Sequence, residues 1–199
     1  MEVISSGICE VYMNEYINDL QKNLETISIE TERLVLRHFI ETDADCLMAI
    51  FKDEHTMYMD GDTPFSEKNK EFERRIQFIK DNMWKWFFLE KKDTGEFVGC
   101  IHIREVSDRK VNTISFGCSL VPTYQHCGYG YEAFSALIKY LKEYTDTSML
   151  LMSAWEKNEA SIGLIKKLGF HNEGKTHRNH CDPRSGEISD SLRFYLDIR

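Results

Sequence analysis

The sequence predicts a mixed α/β domain in which a sheet carries helices on its faces. Two observations lead there. Apolar residues alternate with period two in several short runs, and between those runs they recur at helical spacing. The resulting order, β α α β β β α β α β β, has about seven strands, with no repeat or low-complexity tract. At 199 residues the chain suits one ordinary domain, or one domain with an added arm. A chain of this length buries about 70% of its unfolded surface and needs neither metal nor disulfide to hold a core.

Residues 1–27 read as an appended helical segment, with Val11, Tyr12, Ile17, Leu20 and Leu24 on one stripe but no visible partner surface; the main domain is expected over 28–199. Ile27, Ile29, Leu34, Leu36 and Phe39 alternate as one half-buried strand interrupted at Thr31-Glu32-Arg33. Thr42 or Asp43 caps a helix carrying Cys46, Leu47 and Ile50. Met57 to Phe65, holding Gly61 and Pro64, reads as loop, and Ser66 or Glu67 starts a helix with Phe72, Ile76 and Ile79 on one face. Trp84 to Glu90 and Glu96 to Arg104 form two strands around the turn Lys92-Asp93-Thr94-Gly95. Val111 to Val121 is a third, stopped by Pro122. Gly128-Tyr129-Gly130 then opens a helix with Phe134, Leu137, Ile138, Leu141 and Tyr144 in a stripe. Ser148 to Ala154 is a buried strand. Asn158 caps a helix ending at Gly169, and the strands Phe170 to Thr176 and Ile188 to Leu196 close the chain.

Composition excludes several functions. The formal net charge of −8 argues against general nucleic-acid binding, which needs a basic face, and is compatible with an amine-bearing partner. No apolar run approaches the roughly 18 residues of a membrane helix, so no membrane partner is expected. Glu2, Glu10, Glu15 and Asp19 precede the first lysine, Lys22, unlike a secretory signal. The six cysteines contain no C-x-x-C pair, and a reduced cytoplasmic protein is expected.

The loop Gln125-His126-Cys127-Gly128-Tyr129-Gly130-Tyr131 carries the chemistry. A strand runs into two glycines and a long helix begins at once. The first amides of a helix lack internal partners, and with the macrodipole they form a seat for phosphate. Two nucleotide-site types fit. Gly128-x-Gly130-x-x-Ala133 satisfies a relaxed dinucleotide fingerprint and would make the chain an NAD-type oxidoreductase, but the acidic residue expected about 20 positions on, at the end of the next strand, has as its nearest candidate Glu156, 26 residues after Gly130.

The second type is a coenzyme A pyrophosphate loop. Gln125-x-x-Gly128-x-Gly130 resembles the signature of the GNAT N-acetyltransferases, and more narrowly their RimJ/RimL-type branch. The likeness extends in order through Thr31 to Arg37, Leu120-x-Pro122-x-Tyr124, Glu132-Ala133, Asn158-x-x-Ser161 and Lys167-Leu168-Gly169-Phe170-x-x-Glu173-Gly174. The resemblance implies an α+β fold with a mostly antiparallel twisted sheet, splayed between Phe116–Val121 and Ser148–Ala154. It implies direct transfer of acetyl from acetyl-CoA to a primary amine, either a protein N-terminus or a small molecule, without a metal. The pantetheine arm would pair with backbone at Leu120 and Val121, and the pyrophosphate would sit on His126, Cys127, Gly128, Tyr129, Gly130 and Tyr131 beside Gln125. Asn158 would touch the arm and Ser161 would protonate the leaving thiolate. Many relatives carry a carboxylate on the central strand two residues before its glycine, where this chain has Ser115, so His180 and then Asp190 are the candidate bases. A non-catalytic acyl-CoA-binding module is the other alternative. His171, His177, His180 and Cys181 match no known zinc spacing. The acceptor, the role of 1–27 and the choice between monomer and homodimer stay open.

Overall fold

The computed structural model describes the backbone of residues 3–199 and side chains from Tyr12 onward; the side chains of Cys9 and Val11 and the whole of the first two residues fall outside that description. Strands β1 (Ile29–Glu30), β2 (Leu34–Arg37), β3 (Trp86–Lys91), β4 (Phe97–Glu105), β5 (Thr113–Leu120), β6 (Met149–Trp155), β7 (His171–Cys181) and β8 (Ile188–Asp197) form one sheet. Their order is β1-β2-β3-β4-β5-β6-β8-β7, and every neighbouring pair is antiparallel except β5 with β6. The expected mixed, mostly antiparallel sheet is present, with eight strands instead of about seven. The extra one arises because the first run folds back on itself. The Thr31 hydroxyl accepts the Leu34 amide at 2.8 Å and the Thr31 amide donates to the Leu34 carbonyl at 2.9 Å, so Ile29 comes to face Leu36 across a tight turn.

The helices are α1 (Val3–Leu24), α2 (Asp43–Phe51), α3 (Glu54–Met59), α4 (Lys70–Asp81), α5 (Tyr129–Tyr144) and α6 (Glu159–Lys167). Helix α3 occupies part of the stretch read as loop. Its cap is Asp53, whose carboxylate accepts both the Thr56 amide at 2.8 Å and the Thr56 hydroxyl at 2.6 Å. Helix α4 starts at Lys70, later than expected, because the Asn69 side chain accepts the amides of Glu71 and Phe72 at 3.0 Å. Thr42 holds the cap position of α2 but makes no capping bond with its side chain. The Asp43 carboxylate is taken by the Arg37 guanidinium, at 2.8 and 2.9 Å, and by the Ile40 amide at 2.7 Å.

Period-two alternation builds a core on each side of the sheet. Phe87 packs with Leu34, Leu36, Phe134, Leu137 and Phe194 under α1, α5 and α6; its neighbour Phe88 packs with Leu47, Met57, Phe72 and Ile79 under α2, α3 and α4. The aromatic run from Trp84 is thus core, except that Trp86 is half-buried. Helix α1 finds the partner surface the sequence did not reveal. Tyr16, Leu20 and Leu24 are buried in the first core, the Tyr16 hydroxyl meets the Thr147 hydroxyl at 2.9 Å, and the Tyr140 hydroxyl donates to the Asn23 carbonyl at 3.1 Å. Tyr12, placed on the same stripe by the sequence, is exposed. Among the described residues no helix is long and apolar enough to cross a membrane.

Candidate active site

Strands β5 and β6 pair in parallel only from Thr113 opposite Met149 to Phe116 opposite Met152. Beyond that point β5 continues to Leu120 paired with β4 alone, and β6 continues to Trp155 paired with β8 alone. The sheet is therefore parted at its centre, and the facing backbone groups of Gly117–Leu120 and Ser153–Trp155 are left without a strand partner across the split. The split opens into a cleft of about 1,230 Å³. Its lining includes Leu120, Gln125, His126, Gly128, Gly130, Tyr131, Asn158, Ser161 and His180, so most of the expected site residues converge on one space.

The glycine loop leads directly into α5. Gly128 is the cap residue, with φ +83° and ψ −1°, a left-handed conformation that side chains resist. His126 also has positive φ, at 58°, and histidine is among the residues that tolerate this region. The Gln125 side-chain amide braces the loop, donating to the Thr56 hydroxyl at 3.0 Å and the Leu120 carbonyl at 3.1 Å. Outside the loop, Arg33 donates to Glu132 at 2.7 Å and to the Cys127 carbonyl at 3.2 Å, and covers the Tyr129 ring at 4.3 Å. Partial burial works to raise the Glu132 pKa, but bonds from Thr31 and from the Arg33 amide and guanidinium outweigh it and hold it below the usual range. The Glu132 charge is thus matched by Arg33, and no side chain caps the first amides of α5. Lys167, which opens the Lys167-Leu168-Gly169-Phe170 motif but has no role assigned from sequence, lines the cleft and lies 4.4 Å from the Tyr131 ring centre. These features fit a pyrophosphate-bearing donor: a left-handed glycine, helix amides without a side-chain cap and a nearby cation.

Opposite, Asn158 caps α6 by accepting the Ser161 amide at 3.0 Å, so the helix start carrying Ser161 is fixed beside the split. His180 is 8% exposed and stacks on Trp155 with ring centres 4.3 Å apart. Trp155 is held in turn by its indole N–H donating to Ser189 at 2.6 Å. The His180 ring also covers Gly61, where a Cβ would come within 3.2 Å, and its Nε2 has no partner. Burial lowers the His180 pKa, so the ring is neutral at pH 7. Asp190 does not line the cleft: it accepts the His177 ring at 3.1 Å and the Arg178 amide at 3.0 Å. Among the described residues, no three His, Cys, Asp or Glu side chains gather as a metal site.

Two residues that the sequence did not single out also face this space. The His102 ring packs on Trp86 at 4.8 Å, over Gly117, where a Cβ would come within 2.1 Å of it. Desolvation, helped by Arg104, holds the His102 pKa down at about 3 and makes it a neutral wall. Asp60, at the end of α3, accepts the Ser119 hydroxyl at 3.2 Å from the stretch of β5 that has parted from β6. The only sequence signal for Asp60 was its place beside Gly61.

A parted sheet with an uncapped helix end at one lip suits a protein that holds a phosphate-bearing ligand in the split. The chain belongs to the GNAT family: the model described as "Acetyltransferase (GNAT) domain" matches residues 33–171. It is therefore an acetyl-CoA-dependent N-acetyltransferase, and the antiparallel body of the sheet sets it apart from a dinucleotide-binding oxidoreductase fold. It is similar to the uncharacterised N-acetyltransferase YoaA of Bacillus subtilis, 27% identical over 73% of this chain and 84% of the relative. It is also similar to the [ribosomal protein uS5]-alanine N-acetyltransferase of Escherichia coli, 23% identical over 77% and 83%. Its fold matches the crystal structure of a GNAT acetyltransferase from Bacillus anthracis with a TM-score of 0.74 and 23% identity, covering 86% of this chain and 99% of that one.

Proposed function

We propose that residues 28–199 form a transfer domain with 1–27 as an added helix, and that the acetyl group passes directly to a primary amine, with a peptide N-terminus the best-suited acceptor. The observation that carries this reading is the early end of the β5–β6 ladder, which leaves a strand-shaped gap. The pantetheine arm, itself an amide chain, pairs there with backbone at Leu120 and Val121 and touches Asn158. The pyrophosphate lies on the amides from His126, Cys127, Gly128, Tyr129, Gly130 and Tyr131; Gln125 shapes this loop. The acceptor enters from the side lined by Asp60, Asp62, Arg74, Arg75 and Arg104, where both signs of charge suit an ammonium followed by backbone carbonyls. The name of the Escherichia coli relative, an enzyme for a ribosomal-protein alanine, supports that class.

Ser161 supplies the proton to the departing sulfur. Ser161→Ala is expected to lower kcat by about tenfold or more with little change in KM for acetyl-CoA, because a positioned acid acts on the transition state. Stopped-flow thiol release checks this, and equal turnover would remove Ser161 from that role. The function itself is tested by thermal shift with acetyl-CoA, coenzyme A and NADH, then thiol release with an alanine-initiated tetrapeptide, spermidine and kanamycin. Stabilisation by the coenzyme A forms is expected, about 2.7 kcal/mol at 100 times Kd, with turnover on the peptide. Stabilisation by NADH alone, or binding without thiol release on any of the three amines, would overturn it.

A further inference from the structure

We propose that Asp60 receives the acceptor's ammonium and takes its first proton. This rests on the transfer reading above. Three observations carry it. The Asp60 carboxylate accepts from Ser119 on the part of β5 that has left β6, so it faces the split where the bond-making end of the donor is proposed to lie. Second, it is the one carboxylate lining the cleft without a cation partner among the described residues. Asp62 and Glu71 pair with Arg75, and Glu105 pairs with Lys85. Third, its position is fixed. The following residue, Gly61, has φ +78° and lies under the His180 ring, which Trp155 and Ser189 clamp from β6 and β8. In this arrangement His180 is a positioning residue for the turn that carries Asp60. Its neutral ring neither repels an ammonium nor requires a counter-ion.

The groups facing Asp60 set its basicity. Asp60 is exposed at the cleft mouth, and the walls around it push its pKa up; Ser119 and Arg104 pull it down, Asp62 raises it and Arg75 lowers it, with a result of about 6 that solvent at the mouth holds nearer the usual carboxylate range. Cys100 and Cys118 face it from β4 and β5 as thiols whose pKa values burial pushes up, so they add no charge near pH 7. A carboxylate titrating there is ionised at neutral pH and basic enough to accept a proton in turnover. In the step proposed, one ammonium proton moves to Asp60 and then to solvent. The freed nitrogen lone pair forms the C–N bond. The C–S bond breaks with its electron pair leaving on sulfur, and the sulfur takes the second nitrogen proton through Ser161. The products are the N-acetyl amine, the free thiol and one released proton.

The test is the pH–rate profile of thiol release for the full chain, with acetyl-CoA and the active amine of the three-member panel, in Asp60→Asn and Ser119→Ala. Asp60→Asn is expected to lower kcat/KM by on the order of 100-fold or more, with coenzyme A affinity unchanged. Its thermal stability at pH 7 should be equal or higher, because a carboxylate whose folded pKa is raised loses stability as pH rises through the interval between its unfolded and folded values. Ser119→Ala removes a bond that lowers the Asp60 pKa, so the acid limb, near pH 6 in the parent, should move to higher pH while the plateau is largely kept. A parent-like profile in Asp60→Asn, or a limb unmoved in Ser119→Ala, would overturn the proposal while leaving the transfer reading intact. A parent enzyme that binds coenzyme A but acetylates none of the amines would overturn both.

Discussion

Gly128→Val is expected to weaken coenzyme A binding by about 100-fold in a chain that still folds. A β-branched residue at φ +83° is strained by about 1–3 kcal/mol, equivalent to roughly 5- to 150-fold in a binding constant if the loop reverts to an allowed conformation in relief. Relief means rotating the peptide units on either side of residue 128, and those units carry the amides proposed to hold the pyrophosphate. An added Cβ also comes within 3.5 Å of the Arg33 guanidinium, so the branch crowds the side chain that holds the Cys127 carbonyl. Gly128→Ala separates the two contributions, since it has the conformational penalty without the branch and should lose less affinity. Calorimetric titration of coenzyme A decides it. Unchanged affinity in a folded Gly128→Val chain would withdraw the loop from the site.

The largest stability effect is expected at a different place, Arg37→Leu. The guanidinium makes two bonds to Asp43, whose side chain is 3% exposed, and a third to Glu90 at 2.8 Å. Removing it leaves a buried carboxylate without its counter-ion, a class of change that costs about 3–5 kcal/mol. Arg37 itself is partly exposed, so the lower end applies: about 3 kcal/mol, or roughly 6–12 °C in Tm for a chain of this size. Adding Asp43→Asn should recover part of the loss by discharging the orphaned group. Strict additivity of the two changes in thermal denaturation would contradict the pairing. Because α2 and α3 pack on the same side of the sheet, the double variant also asks whether the shelf carrying Asp60 stays in place.

Much of the architecture was legible because each strand and each long helix buries one regular face. The alternation from Leu34 to Leu36 and the stripe from Phe134 to Leu141 are consequences of that burial, visible before any coordinates. The exceptions share a cause. Helix α3 has only six residues and sits between Asp53 and Gly61, too short for periodicity to emerge and held instead by a side-chain cap. Strand β7 runs to Cys181 through polar residues, with register shifts at Asn172/Gly174 and Thr176/His180 that break the alternation. The donor loop was readable because its chemistry is contiguous, from Gln125 to Tyr131. The acceptor side was not, because it is assembled across the chain: Asp60 meets Ser119, 59 residues away, and His180 reaches Gly61. Only Gly61 marked the turn, and a glycine beside an aspartate reads as an ordinary bend until the fold closes over it.

The docking of α1 has a consequence for how the chain is made. Tyr16 and Thr147 are 131 residues apart, and Leu20 and Leu24 share their core with Leu150 and Ile198. At a ribosomal pace of 5–20 residues per second, roughly 7–26 s separate the synthesis of the tyrosine from that of its partner. Through that interval the first helix carries apolar side chains that have nowhere to go. Native burial of Tyr16, Leu20 and Leu24 therefore waits on strands β6 and β8, which supply Leu150 and lead into Ile198.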